Sequence, residues 1–530
     1  MANKKILLIE PGYKNKYPPL GLMKIAAYHG PYGKRDQVTF IKGENDKSVL
    51  NTTWDRIYIT TLFSFEWKTI ARSINFALEA AHGQANKVFV GGIAASLMHD
   101  AYLQESEWRG IRFIKGLLNE APAVSLQLDD FAEELYSDDR NTTPIEDLIP
   151  DYSILDQIKP HYVYPVHDAY FAYASRGCIR KCHFCGVPKL EGEQRDAPSI
   201  SRLVRGIAER HGEKKDLTLM DNNVAASGTY KEIISEIVDL GFVPGAKLHR
   251  PGKPPVQRRV DFNQGVDARI LCKDKMYLRE MSRICLKPLR IAFDHIGVRK
   301  PYEQAIHFAH EFGLHDLSNY MLYNFRDTPE DLYERMKLNI DLNEKLNIRI
   351  FSFPMRYQPT DMKDRTHIGE NWNRYYLRSM QIILQATHGI VSGSPTFFRR
   401  AFGSTIDEFH QLLMRPEKYI FNRVWFEESG GRPEFDEFSK EFRKLSVTDK
   451  AELMHLLSFS RPSQFLSLLN KTDNSKVKDI LPWYKPLTDT QEAKIWRSMK
   501  KTPKRTFEEK PIVPVEELVE DAGLEEAEPA

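Results

Sequence analysis

Short apolar runs alternate with amphipathic stretches over residues 1–138. The runs are rich in β-branched and aromatic residues, which is typical of buried parallel strands, and the stretches between them have helical periodicity. This order predicts a doubly wound, Rossmann-like α/β domain. The predicted strands are Lys5–Ile9, Val38–Ile41, Arg56–Thr60 and Lys87–Val90, and the predicted helices cover residues 20–29 and 66–82.

A second alternating region follows a polar, proline-containing stretch that predicts a linker over 139–167. Six strands interleaved with helices predict a partial (β/α)6 TIM-like barrel over 168–360. The predicted strands are Tyr170–Ala174, Leu217–Met220, Val260–Gln264, Leu289–Phe293, Asn319–Tyr323 and Ile348–Phe353, and the clearest helices cover 226–239, 300–313 and 328–345. Thr328 and Pro329 suit the N-cap and first position of the last helix.

Helical patterns dominate after the barrel and predict a helical C-terminal region over 361–480, with clear helices at 371–388 and 446–459. The last segment, 481–530, changes from a basic stretch to an acidic, proline-containing one. Such a composition leaves few apolar side chains to bury, so we predict a flexible tail.

Charge and cysteine usage narrow the class of protein. The 530 residues carry a net charge of +2, which gives no indication of a bulk polyanion partner and leaves room for local charged patches. The apolar run Ile6–Ile9 stops at Glu10, far short of a signal-peptide core or a membrane span. Three of the five cysteines lie close together, which favours a metal site over a disulfide framework. We therefore expect a cytoplasmic protein.

The three clustered cysteines are Cys178, Cys182 and Cys185, and their CxxxCxxC spacing suits three thiolates around one cluster. A four-iron cluster with three cysteine ligands leaves one iron open, where a small molecule can bind and react. A structural zinc held with the help of His183 is the alternative. The other two cysteines lie in apolar surroundings and are predicted to be buried, inert thiols; they are Cys272 and Cys285.

The cysteine motif and the six-strand pattern resemble the radical S-adenosylmethionine (SAM) superfamily over residues 168–360. The resemblance implies that Cys178, Cys182 and Cys185 hold a [4Fe-4S] cluster and that SAM chelates the fourth iron. It also places Phe184 beside the SAM adenine. The implied activity is reductive cleavage of SAM to a 5'-deoxyadenosyl radical, which removes hydrogen from a substrate. A low-potential electron donor such as flavodoxin or ferredoxin is the implied partner.

Polar residues follow each predicted barrel strand, where barrel enzymes place their chemistry. The ribose hydroxyls of SAM require carboxylate or amide acceptors, and its carboxylate requires a cation. Each of these residue types is also common in caps and turns. The candidates for the ribose are Asp221, Gln264, Asp294 and Asn324, and those for the carboxylate are Arg269 and Arg356.

The N-terminal domain resembles the cobalamin-binding branch of this superfamily through Pro18–Gly21 and Val90–Gly92. The DxHxxG box of many cobalamin proteins is absent, since no histidine follows an Asp by two positions. Cobalamin, and with it a cobalamin-dependent methyltransferase activity, is therefore an open alternative.

The substrate is the least determined feature. A basic insert between Lys247 and Arg259 suits a phosphate-bearing partner or is a solvated loop. An RNA methylthiotransferase is disfavoured because cysteines for a second cluster and a β-rich C-terminus are lacking. We expect a small molecule, cofactor precursor or peptide as substrate. A non-catalytic protein that senses iron or SAM is the alternative from another class.

Overall fold

The computed structural model describes residues 3–118, 144–458, 465–468 and 470–501. The chain forms two compact units. The first unit consists of Met1–Ala292, Lys300–Leu317 and Gln358–His367, and the second of Phe293–Arg299, Ser318–Tyr357 and Ile368–Ala530. The predicted domain boundaries stay predictions. The boundary at 138, the start of the linker and most of the predicted tail lie outside the described residues.

The first unit begins with a five-stranded parallel sheet in the order β2-β1-β3-β4-β5. Its strands are β1 (Lys5–Glu10), β2 (Gln37–Lys42), β3 (Arg56–Thr61), β4 (Val88–Gly92) and β5 (Arg112–Phe113). In the central register, Leu7 pairs with Thr39 on one side and with Ile57 on the other. This order is that of a doubly wound domain, as predicted, whereas the two-residue strand β5 was not predicted because its apolar run is too short.

Helices cover the N-terminal sheet because its strands are apolar on both faces. Helix α1 (Leu20–His29) buries Met23 and Ala26, and α2 (Trp67–Ala80) buries Ile70 and Ile74 one turn apart. The short helices α3 (Ile93–Leu97) and α4 (His99–Leu103) follow β4 directly. The apolar side chains of α2 and of the strands form one core, which reaches as far as Phe113.

The remaining strands of the first unit flank the loop that contains the three clustered cysteines. Strands β6 (Ala169–Ala172), β9 (Asp216–Leu219) and β12 (Val260–Phe262) form a parallel sheet in the order β12-β9-β6. Strands β13 (Val266–Asp267) and β14 (Leu289–Ala292) pair in parallel. Two antiparallel pairs complete the set, namely β7 (Ser175–Arg176) with β8 (Arg195–Asp196) and β10 (Lys247–Leu248) with β11 (Val256–Gln257).

The predicted strand Tyr170–Ala174 is longer than the observed β6, which ends at Ala172. The chain leaves the sheet here because the Ala174 N–H turns to the carboxylate of Asp221. The helices between these strands are α5 (Val187–Leu190), α6 (Ile200–His211), α7 (Tyr230–Asp239), α8 (Ala268–Leu271), α9 (Met276–Met281) and α10 (Arg299–Glu311), the first residue of which belongs to the second unit.

The second unit contains two hydrogen-bonded strands, β15 (Asp316–Tyr323, beginning in the first unit) and β16 (Arg349–Arg356). Helix α11 (Pro329–Leu346) begins as predicted, with a capping box in which Thr328 and Asp331 exchange hydrogen bonds. The helix ends at Asn347, which is left-handed at φ 51°.

Ten more described helices form the C-terminal region, and aromatic and aliphatic side chains from eight of them share one core. They are α12 (Arg374–Ala386), α13 (Pro395–Phe402), α14 (Ile406–Met414), α15 (Glu417–Phe421), α16 (Arg423–Glu428), α17 (Arg432–Arg443), α18 (Val447–Ser458), α19 (Phe465–Leu468), α20 (Ser475–Ile480) and α21 (Asp489–Lys501). The predicted end of α18 at residue 459 lies outside the described residues.

The fold class is confirmed. The chain is α/β, with a Rossmann-like N-terminal sheet, the strand and helix order of a partial barrel, and a helical C-terminal region. Among the residues that the structure describes, each helix is either too short or too polar to cross a membrane.

Candidate functional site

The three clustered cysteines lie in a loop at the carboxyl end of β6, between β7 and α5 (the cysteine loop, Gly177–Gly186). Ligands of parallel sheets bind at this edge. All three thiols are half-buried, so they lie at the surface of the sheet rather than in its core. The loop is tightly wound, with the Cys185 N–H donating to the Cys182 carbonyl at 3.1 Å.

Backbone N–H groups point at two of the thiols. Cys178 Sγ accepts from the Arg180 N–H at 3.4 Å, and Cys185 Sγ accepts from the Val187 N–H at 3.4 Å. Hydrogen bonds to the sulfurs are a recurring feature of protein-bound iron-sulfur clusters. The chemistry and placement of these donors fit an iron-sulfur cluster.

A single-ion site, such as the structural zinc considered above, would need several ligands around one point. No group of three His, Cys, Asp or Glu side chains surrounds a single-ion site in the described part of the chain. This arrangement is compatible with a four-iron cluster because each cysteine then binds a different iron, and the sulfurs need not converge on one point.

A buried carboxylate, Glu191, fixes the start of the cysteine loop. It accepts from the Gly177 N–H at 2.9 Å and from Asn222 Nδ2 at 3.0 Å. It also accepts from Arg176 Nη1 at 3.2 Å. A second acid, Glu146, accepts from Arg176 Nη2 at 2.7 Å. Hydrogen bonds between charged side chains and the backbone therefore fix the start of the cysteine loop.

Gly177 itself is required by the backbone. Its φ of +73° is left-handed, and a Cβ there would lie 2.1 Å from the Glu193 carbonyl oxygen. No other residue type fits this position without moving the loop.

Asp221, a predicted ribose acceptor, is 2% exposed and is engaged within the chain. Its oxygens accept from the Ala174 N–H at 3.0 Å and from the Ser175 N–H and hydroxyl at 2.5 and 2.6 Å. Burial raises the pKa of Asp221 to about 6, although these hydrogen bonds act to lower it. These contacts favour a role in positioning the cysteine loop.

Asp267 links two cations near the cysteines. Its carboxylate accepts from Arg180 Nε at 2.6 Å and from Arg269 Nε at 2.8 Å. Burial acts to raise the pKa of Asp267, but the hydrogen bonds from the two arginines outweigh it and the pKa is lowered. The predicted Arg269 is thus connected to the cysteine loop through Asp267. Gln264, in the turn after β12, is exposed.

The remaining candidates belong to the second unit. Asn324 is fully buried, with a left-handed φ of 68°, and its amide bridges the Tyr357 carbonyl and the Gly369 N–H at 3.2 and 2.7 Å. These contacts favour a structural role. Asp294 and Arg356 are half-buried in the second unit. Of the predicted residues, the first unit therefore carries the three cysteines, Phe184, Asp221, Gln264 and Arg269.

Three residues important for the loop were missed from the sequence. Glu191 follows a short apolar stretch and precedes Gly192, so it resembles an ordinary helix end. Glu146 is far from the cysteines in sequence. Asp267 offered a signal, because an Asp two residues before Arg269 suits an N-cap, and the structure shows that its carboxylate accepts from the Arg269 N–H at 2.9 Å.

No protein-family model matches the chain, and no curated protein matches it. Solved structures do. The radical S-adenosylmethionine methyltransferase TsrM from Kitasatospora setae has 14% identity and a TM-score of 0.46, with 68% of this chain and 75% of that chain covered.

Two further matches have similar identity. The cobalamin-dependent S-adenosylmethionine radical enzyme OxsB has 14% identity and a TM-score of 0.46, covering 94% of this chain and 80% of that one. HydG, a maturase of the [FeFe]-hydrogenase, has 14% identity and a TM-score of 0.29, covering 81% and 97%. Because each TM-score is below 0.5, these matches do not decide the chain's activity.

Proposed function

We propose that the chain is a radical SAM enzyme that holds a [4Fe-4S] cluster on Cys178, Cys182 and Cys185. The observation that carries this proposal is the cysteine loop itself. Three half-buried thiols lie in one loop at the carboxyl end of a parallel strand, and two of them accept backbone N–H bonds. When bound and reduced, such a cluster supplies the electron that cleaves SAM to methionine and a 5'-deoxyadenosyl radical.

The chain's own residues then position SAM and substrate. Phe184, half-buried between two of the cysteines, is proposed to contact the adenine. Arg269 is proposed to bind the SAM carboxylate, supported by its connection to the loop through Asp267. Ribose contacts are proposed for the remaining sequence candidates, most readily for the exposed amide of Gln264.

The proposed substrate is a small molecule, cofactor precursor or peptide. The basic insert forms the hairpin β10–β11, and several of its cations are engaged within the protein. Arg250 donates two hydrogen bonds to Asp168 at 2.8 and 2.7 Å, and Arg258 lies 3.6 Å from Glu213. This neutralisation disfavours a nucleic-acid partner. The proposed electron donor is a flavodoxin or ferredoxin, and the proposed location is the cytoplasm, in keeping with cysteines that bind a metal cluster rather than form disulfides.

The decisive assay is formation of 5'-deoxyadenosine. Protein reconstituted with iron and sulfide without oxygen is mixed with dithionite and SAM, and the nucleoside is quantified by chromatography. We expect the nucleoside from the wild-type chain and from Cys272→Ala, and none from Cys182→Ala. The Cys272 variant is the matched control because this cysteine lies outside the loop.

A wild-type protein that binds cluster and SAM yet yields no 5'-deoxyadenosine would contradict the enzymatic proposal. That result would favour a non-catalytic sensor of iron or SAM. A full four-iron cluster on Cys182→Ala would instead contradict the assignment of the ligands.

A further inference from the structure

The N-terminal sheet has its own carboxyl edge, where a ligand of a doubly wound domain is expected. In the order β2-β1-β3 the connections diverge beside β1, and this switch point is where such sheets open a crevice. The resemblance of this domain to cobalamin-binding domains makes this crevice the place to test for that cofactor.

A buried ion pair occupies the end of β1. Glu10, 2% exposed, accepts from Lys42 Nζ at 2.8 Å and from Asn15 Nδ2 at 2.8 Å. The side-chain amide oxygen of Asn15, Oδ1, in turn accepts from Lys42 Nζ at 2.6 Å. The hydroxyl of Tyr164 also donates to Glu10. These charged and polar groups satisfy one another.

Aromatic rings fill the space around this pair. Lys42 Nζ lies 4.5 Å from the ring centre of Tyr162 and 5.2 Å from that of Tyr164. On the other side, Tyr13, 4% exposed, packs edge-on against Phe63 of the loop after β3 at 5.7 Å between ring centres. Tyr13 belongs to the same core as the strands. Among the described residues, these side chains leave a cavity of about 140 Å³ beside β1, lined by Gly12, Lys42 and Tyr162 among others, which is far smaller than a cobalamin molecule.

Cobalamin does not fit this edge. Its nucleotide tail alone requires more space than the cavity beside β1 offers. Opening the crevice would separate the Glu10–Lys42 pair and leave each charge buried without its partner, which is strongly unfavourable.

The same domain touches the cysteine region directly. The hydroxyl of Tyr17 donates to Asn263 Oδ1, just after β12, at 2.5 Å. Leu97 of α3 lies so close to Gly186 that a Cβ added there would be 3.0 Å from Leu97 Cδ1. Lys363, which lies 3.9 Å above the Trp67 ring, adds a further contact to the N-terminal domain.

We infer that the N-terminal domain binds no cobalamin and instead forms a fixed protein wall beside the cysteine loop, with Tyr17 as its positioning residue. The second half of this inference rests on the proposed function, because it assigns the wall to the cluster site. A wall of this kind excludes water and oxygen from the site.

Cobalamin binding is tested with the full chain after anaerobic reconstitution. The protein is incubated with hydroxocobalamin, passed through a gel-filtration column, and analysed for cobalt and iron. We expect iron in the protein fraction and cobalt only in the small-molecule fraction. Retention of about one cobalt per chain would overturn the inference.

The wall is tested by the rate at which the cluster absorbance is lost in air. Tyr17→Ala is expected to take up as much iron as the wild type but to lose its absorbance several-fold faster. Tyr17→Phe keeps the ring but removes the hydrogen bond to Asn263, so it distinguishes the contribution of the ring from that of the hydroxyl. Tyr32→Ala changes a tyrosine that is 48% exposed and is the control that should behave as the wild type. Equal rates for Tyr17→Ala and the wild type would overturn the wall. A wild-type chain that assembles no cluster would instead overturn the proposed function, whatever the cobalt result.

Discussion

Two carboxyl edges of parallel strands lie in the first unit, and they differ in what their buried acids do. Beside the cysteine loop, Glu191 and Asp221 accept from backbone N–H groups at the start of the loop, and Glu191 also from Arg176, while the thiols are half-buried. At the end of β1, Glu10 accepts from side chains alone, is paired with Lys42 and is covered by tyrosines.

The difference shows that position at a carboxyl edge does not by itself make a binding site. Both edges hold a buried acid in several hydrogen bonds. At one edge these bonds lie beside a loop whose thiols are half-buried, and at the other they lie among tyrosines that leave only a small cavity. The first arrangement supports a site, and the second leaves no room for a large ligand.

The largest effect is expected from the backbone of the cysteine loop. Gly177→Ala forces a Cβ to within 2.1 Å of a carbonyl oxygen at a left-handed φ, so the loop must rearrange and iron uptake should be nearly abolished. Gly212→Ala is the matched control, because φ is +75° there too but no atom lies within 4 Å of the added Cβ. The control should keep its iron and lose about 1–3 kcal/mol of stability through backbone strain alone. Equal iron in both variants, measured per chain, would contradict the role of the loop geometry.

The next largest effect is expected on stability, from the buried Glu10–Lys42 pair at the end of β1. Lys42→Met leaves the Glu10 carboxylate buried without its partner, which should lower the free energy of unfolding by about 3–5 kcal/mol. The double variant Glu10→Gln/Lys42→Met removes both charges and should recover much of the loss. Denaturant titration of the three proteins measures this. A single variant as stable as the wild type would show that the pair does not hold the edge closed.

Asp221, beside the cysteine loop, should make the free energy of unfolding depend on pH. Because burial raises its pKa to about 6, the folded chain keeps this proton over a range in which the unfolded chain has released it. Its contribution to stability therefore falls as the pH rises from about 4 to about 6, by about 2–3 kcal/mol.

Asp221→Asn should lack this part of the pH dependence. Its stability relative to the wild type should therefore improve as the pH rises through that range. Unfolding titrations of both proteins at several pH values check this, and parallel pH profiles would contradict the assignment.

The smallest effect on stability and iron content is expected from exposed charges on the cysteine loop. Lys181 and Glu193 are both exposed at a separation of 3.5 Å, so Lys181→Ala should change stability by less than about 0.5 kcal/mol and leave iron content unchanged. The neighbouring Arg180 is bound to Asp267, and Arg180→Ala should lower iron content. If Lys181→Ala lost as much iron as Arg180→Ala, surface charge rather than the Asp267 connection would govern the loop.

Local patterns in the sequence were enough for the elements that bury continuous apolar runs. The predicted helix at 20–29 coincides with α1, and the predicted strand Lys5–Ile9 lacks only one residue of β1. The Thr328 cap was predictable because its signal lies within four residues. The proposed cluster site was likewise predictable, because its three cysteines lie within eight residues of one another in the sequence.

Features that depend on distant partners could not be read in this way. Asn324 has the residue type of a ligand but adopts a left-handed turn, which only the position of Gly369 explains. Glu191 and Glu146 act through Arg176, and nothing near them in sequence indicates that contact. Whether an edge is open or closed also depends on packing between loops far apart in the chain.

The central claim is that the cysteine loop holds a cluster with one open iron. The most direct test is the electron paramagnetic resonance spectrum of the dithionite-reduced, reconstituted protein before and after SAM is added. The account predicts a four-iron cluster signal that changes its g-values when SAM binds. A cluster signal unchanged by saturating SAM, or no cluster at all on the wild-type chain, would contradict it.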